Sequence, residues 1–161
     1  MLASIGAMVI LFGAMISLSR HVRSGSANDA TKELLRLLAG AMDRYVAHND
    51  GRPPSLSFVN FSPESSHDPA ALARRAEVNN QAVVRLLKQS HVFPADSFEI
   101  FSESYYDGAT VRDAWGSPIV FMPTMDPAVG MSAKGWFFFS AGPDRNYLTK
   151  SDNLYSYELG P

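Results

Sequence analysis

Residues 2–18, LASIGAMVILFGAMISL, contain no charged residue and only two serines. An uninterrupted apolar run of this kind restricts the chain more than any other feature. As a helix rising 1.5 Å per residue it would be roughly 26 Å long, slightly short of the hydrocarbon core of about 30 Å. Its apolarity extends all round the helix, so it has no polar face to turn to water. A secretory signal peptide is a poor match, because Met1 leads directly into the apolar run and no Ala-x-Ala follows it; the chain continues Ser19, Arg20, His21, Val22, Arg23. A membrane anchor over residues 1–23 is preferred to a buried core helix. Arg20 and Arg23, on the C-terminal side of the run, would by the positive-inside rule hold the following domain in the cytoplasm.

Beyond the anchor, residues 24–161 are expected to form one globular domain. Ser24–Asp29 is a polar stretch that reads either as a hinge or as a weak part of a continuing helix. Helical spacing is then clear in Leu34, Leu38, Ala41, Met42 and Tyr45, widened by Leu35, Leu37 and Val46, with Lys32, Glu33, Arg36, Asp43 and Arg44 largely opposite. Asn49-Asp-Gly-Arg-Pro-Pro54 ends that helix. Residues 55–68, including Phe58 and Phe61, read as a loop or irregular strand. A second helix follows, with Asp68 as cap and Pro69 in its first turn. Its apolar face of Leu72, Ala76, Val83, Leu86 and Leu87 is interrupted by Asn79 and Asn80. Strands are predicted at Phe98–Phe101, Ile119–Met122, Trp136–Phe139 and Leu154–Leu159, separated by Gly, Pro and Asp clusters. The expected fold is α+β: a long N-terminal helix, apolar in its first half, packed on a small antiparallel C-terminal sheet, with an extra helix in the middle region.

The chemistry-bearing residues exclude several functions. A net charge of -2 and a pI near 6.0 give no basic footprint for nucleic acid, and zero cysteines rule out thiolate chemistry and disulfides. No P-loop, GxGxxG, GxSxG or HExxH string is present. Ser66, His67 and Asp68 have the residue types of a triad, but consecutive side chains diverge. His21, His48, His67 and His91 lack ligand spacing. Trp136–Phe139 reads as a strand buried on both faces. Two segments look specific. In Asp113-Ala-Trp115-Gly116-Ser-Pro118, an acid, an indole, a Gly and a Pro punctuate the entry to a strand; the carboxylate is expected to tie down the turn and the indole to cover the helix–sheet core. Ser140-Ala-Gly142-Pro-Asp144 through Asp152-Asn153 is an oxygen-rich loop, with the hard ligands that calcium prefers. A hairpin loop whose Asp and Asn make only side-chain turns is the other reading of it.

The order of apolar helix, the helix end at Ala41–Pro53, the Asp-x-Trp-Gly-x-Pro segment and the Ser-x-Gly-x-Asp loop followed by Asp-Asn resembles the type IV pilin-like proteins. Among them it looks most like the major pseudopilins of type II secretion systems. The resemblance covers residues 1 to about 54 and 113–159 and leaves 55–112 as an enlarged middle region. It implies a non-enzymatic subunit, single-pass in the inner membrane with its domain in the periplasm, polymerising with other pilin-like subunits into a filament that serves the secretion machinery. It also implies calcium in the loop before the last strand, with Asp144 and Asp152 as ligands and Asn153 and Ser140 beside them. Family loops commonly carry Gly where this chain has Arg145. The family's basic leader and Phe-Thr-Leu-x-Glu opening would precede Met1, and a leader there would supply the cytoplasmic charge that Arg20 and Arg23 outvote. A membrane-anchored periplasmic binding or enzymatic domain is the alternative, with Trp115, the 136–139 aromatics or the central acidic residues forming its pocket.

Overall fold

The structure, a computed structural model, describes residues 2–56, 59–61, 68–90, 98 and 101–159, with helix side chains from residue 25 onward. Helix α1 (Leu2–His48) packs through its 31–42 segment. Residues 25–29 are helical, so this polar stretch is not a hinge. At the end of α1 the chain turns through Asp50 and Gly51, both left-handed at φ 53° and 75°. The Asn49 amide and side chain both donate to the Tyr45 carbonyl, capping the last turn. Helix α2 (Pro69–Gln89) begins as its sequence dictates. Asp68 accepts from the Ala71 amide at 2.9 Å, and Pro69 takes the first turn, where a missing N–H costs nothing.

Three antiparallel strands follow in the order β1-β2-β3: β1 (Val120–Met122), β2 (Phe137–Ser140) and β3 (Leu154–Tyr155). The register pairs Phe121 with Phe138 and Phe139 with Tyr155. Successive residues of β2 point to opposite faces, and each face has its own core. Trp136 and Phe138 join Leu34, Leu35, Leu38 and Met42 of α1 and Val83, Val84 and Leu87 of α2. Phe137 and Phe139 face the other way, onto Val59, Phe61, Leu72, Ala76, Tyr147 and Tyr155. The run of aromatics at 136–139 is therefore structural on both sides.

These elements correct the expected fold. A long N-terminal helix, apolar in its first half and laid on the sheet, is not shown. The helical residues with described side chains are 25–48 and 69–89, beside a small three-stranded sheet, and what the apolar first half of α1 packs on lies outside them. A second departure concerns α2, whose Asn79 and Asn80 the periodicity treats as interruptions of an apolar face. Both are buried, at 4% and 2% exposure, and both bond to backbone groups distant in sequence, in β1 for Asn79 and just outside it for Asn80. Asn79 accepts from the Phe121 amide at 2.8 Å and donates to the Phe121 carbonyl at 3.1 Å. It thereby occupies the open edge of β1 as a fourth strand would. Asn80 donates to the Ile119 carbonyl at 2.6 Å and accepts from the Val111 amide at 2.8 Å. Helix α2 is thus built into the sheet by directional bonds, and the middle region is part of the core rather than an addition to it.

Smaller corrections follow the same logic. The expected strand 98–101 is a turn at its described ends, with the Phe101 amide bonded to the Phe98 carbonyl; residues 99–100 lie outside the described residues. The expected strand 154–159 stops at Tyr155 and tightens into a 3₁₀ turn over Ser156–Glu158. There the Ser156 hydroxyl accepts from the Phe138 amide at 3.0 Å, so a side chain holds the N–H next along β2. Trp115, expected over the helix–sheet core, is only half-buried and belongs to neither core; Trp136 is the core indole. Phe58, Ser66, His67 and His91 lie outside the described residues, as do the side chains of residues 2–18 and of His21. Among the residues with described side chains, no helix is long and apolar enough to cross a membrane, and the anchor expected over residues 1–23 lies outside them.

Candidate functional site

The two segments that stand out in the sequence are bonded to each other. Asp113 is 1% exposed and ties its own turn as expected. One carboxylate oxygen accepts from the Trp115 amide at 3.0 Å and the Ser117 amide at 2.8 Å; the other accepts from the Ser140 hydroxyl at 2.6 Å. Gly116, at φ 89°, supplies the left-handed residue this turn needs. Burial pushes the Asp113 carboxyl above its usual range, against the three donors and the more distant charge of Arg145. Ser140 in turn accepts from the Gly142 amide at 3.0 Å, so its hydroxyl is committed in both directions. On the far side of the loop the Tyr147 phenol donates to the Pro118 carbonyl at 2.6 Å. Burial pushes that phenol well above its ordinary value. Thr31 on α1 accepts from the Ala114 amide at 3.1 Å, joining the 113–118 turn to the helix.

The loop from 140 to 153 therefore straddles the 113–118 turn, held at Asp113–Ser140 and at Pro118–Tyr147. Within it, Asp152 accepts from the Asp144 amide at 2.9 Å, and Asp144 accepts from the Asn146 amide at 2.8 Å. Gly142 is left-handed at φ 70°, and a methyl group there would sit 2.0 Å from the Asp152 carbonyl oxygen. The two ends of the loop thus meet backbone to backbone at the one residue type that allows it. Arg145 is also left-handed, at φ 59°, where an L side chain is strained.

Of the four residues expected to hold calcium, the structure keeps three in the body of the loop and assigns the fourth to the lock. Asp144 is exposed and Asp152 half-buried, and they are linked through the Asp144 amide. Asn153 is 6% exposed; its Nδ2 donates to the Tyr147 carbonyl at 2.9 Å and the Tyr155 hydroxyl at 3.3 Å. Its Oδ1 is buried without a hydrogen-bond partner, alone in this respect among the buried side-chain atoms of the described residues. A buried acceptor left unpaired costs about 1–3 kcal/mol. Ser140 belongs to the Asp113 lock instead. Among the described residues, no three His, Asp or Glu side chains converge to hold a metal ion, so any cation here would depend on amide and carbonyl oxygens beside two carboxylates. His48, at the end of α1, is exposed and has no part in the site.

Sequence reasoning missed the bridging role of Ser140 and the edge-capping role of Asn79 and Asn80. No local signal marks the first, since its partner lies 27 residues away. Compared with protein-family models, characterised proteins and solved structures, the chain matches none.

Proposed function

We propose that this chain is a pilin-like structural subunit of a type II secretion pseudopilus. It is anchored in the inner membrane by residues 2–18, and it assembles with like subunits into a periplasmic filament that moves secreted proteins. Its loop from 140 to 153 holds calcium through Asp144, Asp152 and the Asn153 side-chain oxygen, with turn carbonyls completing the shell. The observation that carries this reading is the unpartnered Oδ1 of Asn153, in the loop where the resemblance puts the ion. A bound cation would give that oxygen the partner it lacks, and would neutralise two carboxylates held near one another. The bonding of the Asp-x-Trp-Gly-x-Pro segment to the loop adds support, since it makes one unit of two of the four stretches on which the resemblance rests.

A calcium titration of the full-length chain followed by thermal melting tests the site. Any ligand of the native state alone stabilises it by mass action, about 2.7 kcal/mol at a hundredfold excess over Kd. Calcium should raise the melting temperature, chelator should reverse the rise, and Asp144→Ala should remove the response while leaving the metal-free protein folded. Identical melting with calcium and chelator would leave a plain hairpin loop. For the filament, electron microscopy of membranes carrying the full-length chain should show filaments that deletion of residues 2–18 abolishes. Membranes bare of filaments in both cases would refute assembly independently of the calcium result.

A further inference from the structure

The side of α2 turned from the sheet concentrates positive charge. Arg74, Arg75 and Arg85 are exposed and Lys88 half-buried, against the single acid Glu77, which is bonded to Arg112 at 2.7 Å. A cationic helix thus sits on a chain whose net charge is -2. Beside Arg74 and Arg75, a cleft of about 540 Å³ opens between α2 and the residues Ser55, Leu56 and Val59. Its size is in the range of small-molecule sites. Val78, on its wall, is 68% exposed, the most exposed large hydrophobic side chain among the described residues. The polar group best placed to contribute, the Asn79 amide, is bonded at both ends to Phe121.

The two guanidinium groups are lightly used. Among the described residues Arg74 makes only an exposed ion pair, with Asp68 at 3.8 Å, which is worth little. Arg75 makes no ion pair among the described residues. An apolar floor with arginines at its rim is complementary to a hydrocarbon chain that ends in an anion: the chain covers the valine and leucine surface, and the guanidinium fork pairs with a carboxylate. An amphiphile with a cationic or uncharged head would lose that pairing. We propose that this cleft binds a free fatty acid, with its acyl chain against Leu56, Val59 and Val78 and its carboxylate on Arg75. The proposal stands on the cleft and its charge alone, apart from any role of the chain in a filament.

Equilibrium titration of the full-length chain with dodecanoate, kept below its micelle concentration, tests it. Saturable binding at one site is expected, with dodecanol and dodecyltrimethylammonium each weaker by at least about tenfold, the loss of one charge-assisted hydrogen bond. Arg75→Glu and Val78→Asp should each weaken dodecanoate by a similar factor. Arg85→Glu, on the same helix but away from the cleft, should leave it unchanged. Adsorption to residues 2–18 is common to every variant and cancels in the comparison, and unchanged melting temperatures establish that the surface variants are folded. Equal affinity of Arg75→Glu and the unsubstituted chain would overturn the proposal, as would equally tight binding of the cationic amphiphile. A shift from dimer to monomer on Arg75→Glu, without loss of dodecanoate binding, would place a second copy of the chain in the cleft instead.

Discussion

Substituting Gly142 by alanine separates two costs that usually come together. The residue is left-handed at φ 70°, which costs an L residue roughly 1–2 kcal/mol. The added methyl would also lie 2.0 Å from the Asp152 carbonyl oxygen and 2.7 Å from its carbon, far inside the closest C···O approach of about 3.3 Å. Relief by movement of Asp152 is resisted, because its amide donates to the Thr149 carbonyl at 3.0 Å and its carboxylate holds the Asp144 amide. Overpacking of this kind costs about 1–3 kcal/mol, for a total of about 2–5 kcal/mol. Gly116 is the internal control. It is left-handed at φ 89° but has nothing within 4 Å of the added methyl, so Gly116→Ala should cost only the conformational part. Urea denaturation of the two variants, followed by tryptophan fluorescence and compared at unchanged slope, gives the contact term by difference. Losses equal to within about 0.5 kcal/mol, the additivity error, would refute the close approach of residues 142 and 152.

Asn80→Leu, a swap of similar volume, should destabilise by about 2–6 kcal/mol, because it strands the buried Val111 amide and Ile119 carbonyl together; denaturation gives the loss, and faster exchange of the Val111 amide locates it. Arg145→Gly should stabilise by about 1 kcal/mol, since it relieves a left-handed L residue on an exposed loop, and a fall in urea midpoint would contradict that. Asp113 has a folded-state pKa raised above its unfolded value of about 3.9, so it binds its proton more tightly when folded. Its contribution is then fully present below that value and lost as pH rises through the folded pKa. The stability difference between the unsubstituted chain and Asp113→Asn should shrink as pH rises through this window, and a difference that widened would reverse the assignment.

What the sequence discloses depends on whether the signal is local. The Asp68 cap with Pro69 and the helix stop at Asn49–Pro54 are written in adjacent residues, and the structure keeps them. The aromatic run at 136–139 likewise announces a strand buried on both faces, as β2 is. Asn79 and Asn80 mislead because periodicity counts apolar residues, and the N–H and C=O groups they satisfy belong to residues 31 to 42 positions away. The alternation of Tyr155, Tyr157 and Leu159 mimics a strand, yet whether a ladder continues depends on what holds the partner's N–H groups, and Ser156 takes one of them. Trp115 and Trp136 are both followed by strand-like sequence. Only the one in register with the core face of β2 is buried, and register is not visible locally.

The same distinction bears on how the candidate loop is seated. Apolar packing between α1 and the sheet fixes an approximate distance, but it tolerates small slides, since Leu34, Leu35, Leu38 and Met42 offer similar surface in neighbouring positions. The polar bonds do not tolerate them. From Thr31 the chain of bonds runs to the Ala114 amide, through the adjoining Asp113 carboxylate to the Ser140 hydroxyl, and on to the Gly142 amide. Each link is short, and several lie in the buried interior, where an unmade bond is costly. A shift of α1 along the sheet would have to break the Thr31 link or carry the 113–118 turn with it, and through Ser140 the first residues of the loop as well. The loop's geometry is thereby indexed to the helix that continues the apolar run, by directional bonds between residues that lie 27 and 83 positions apart in sequence.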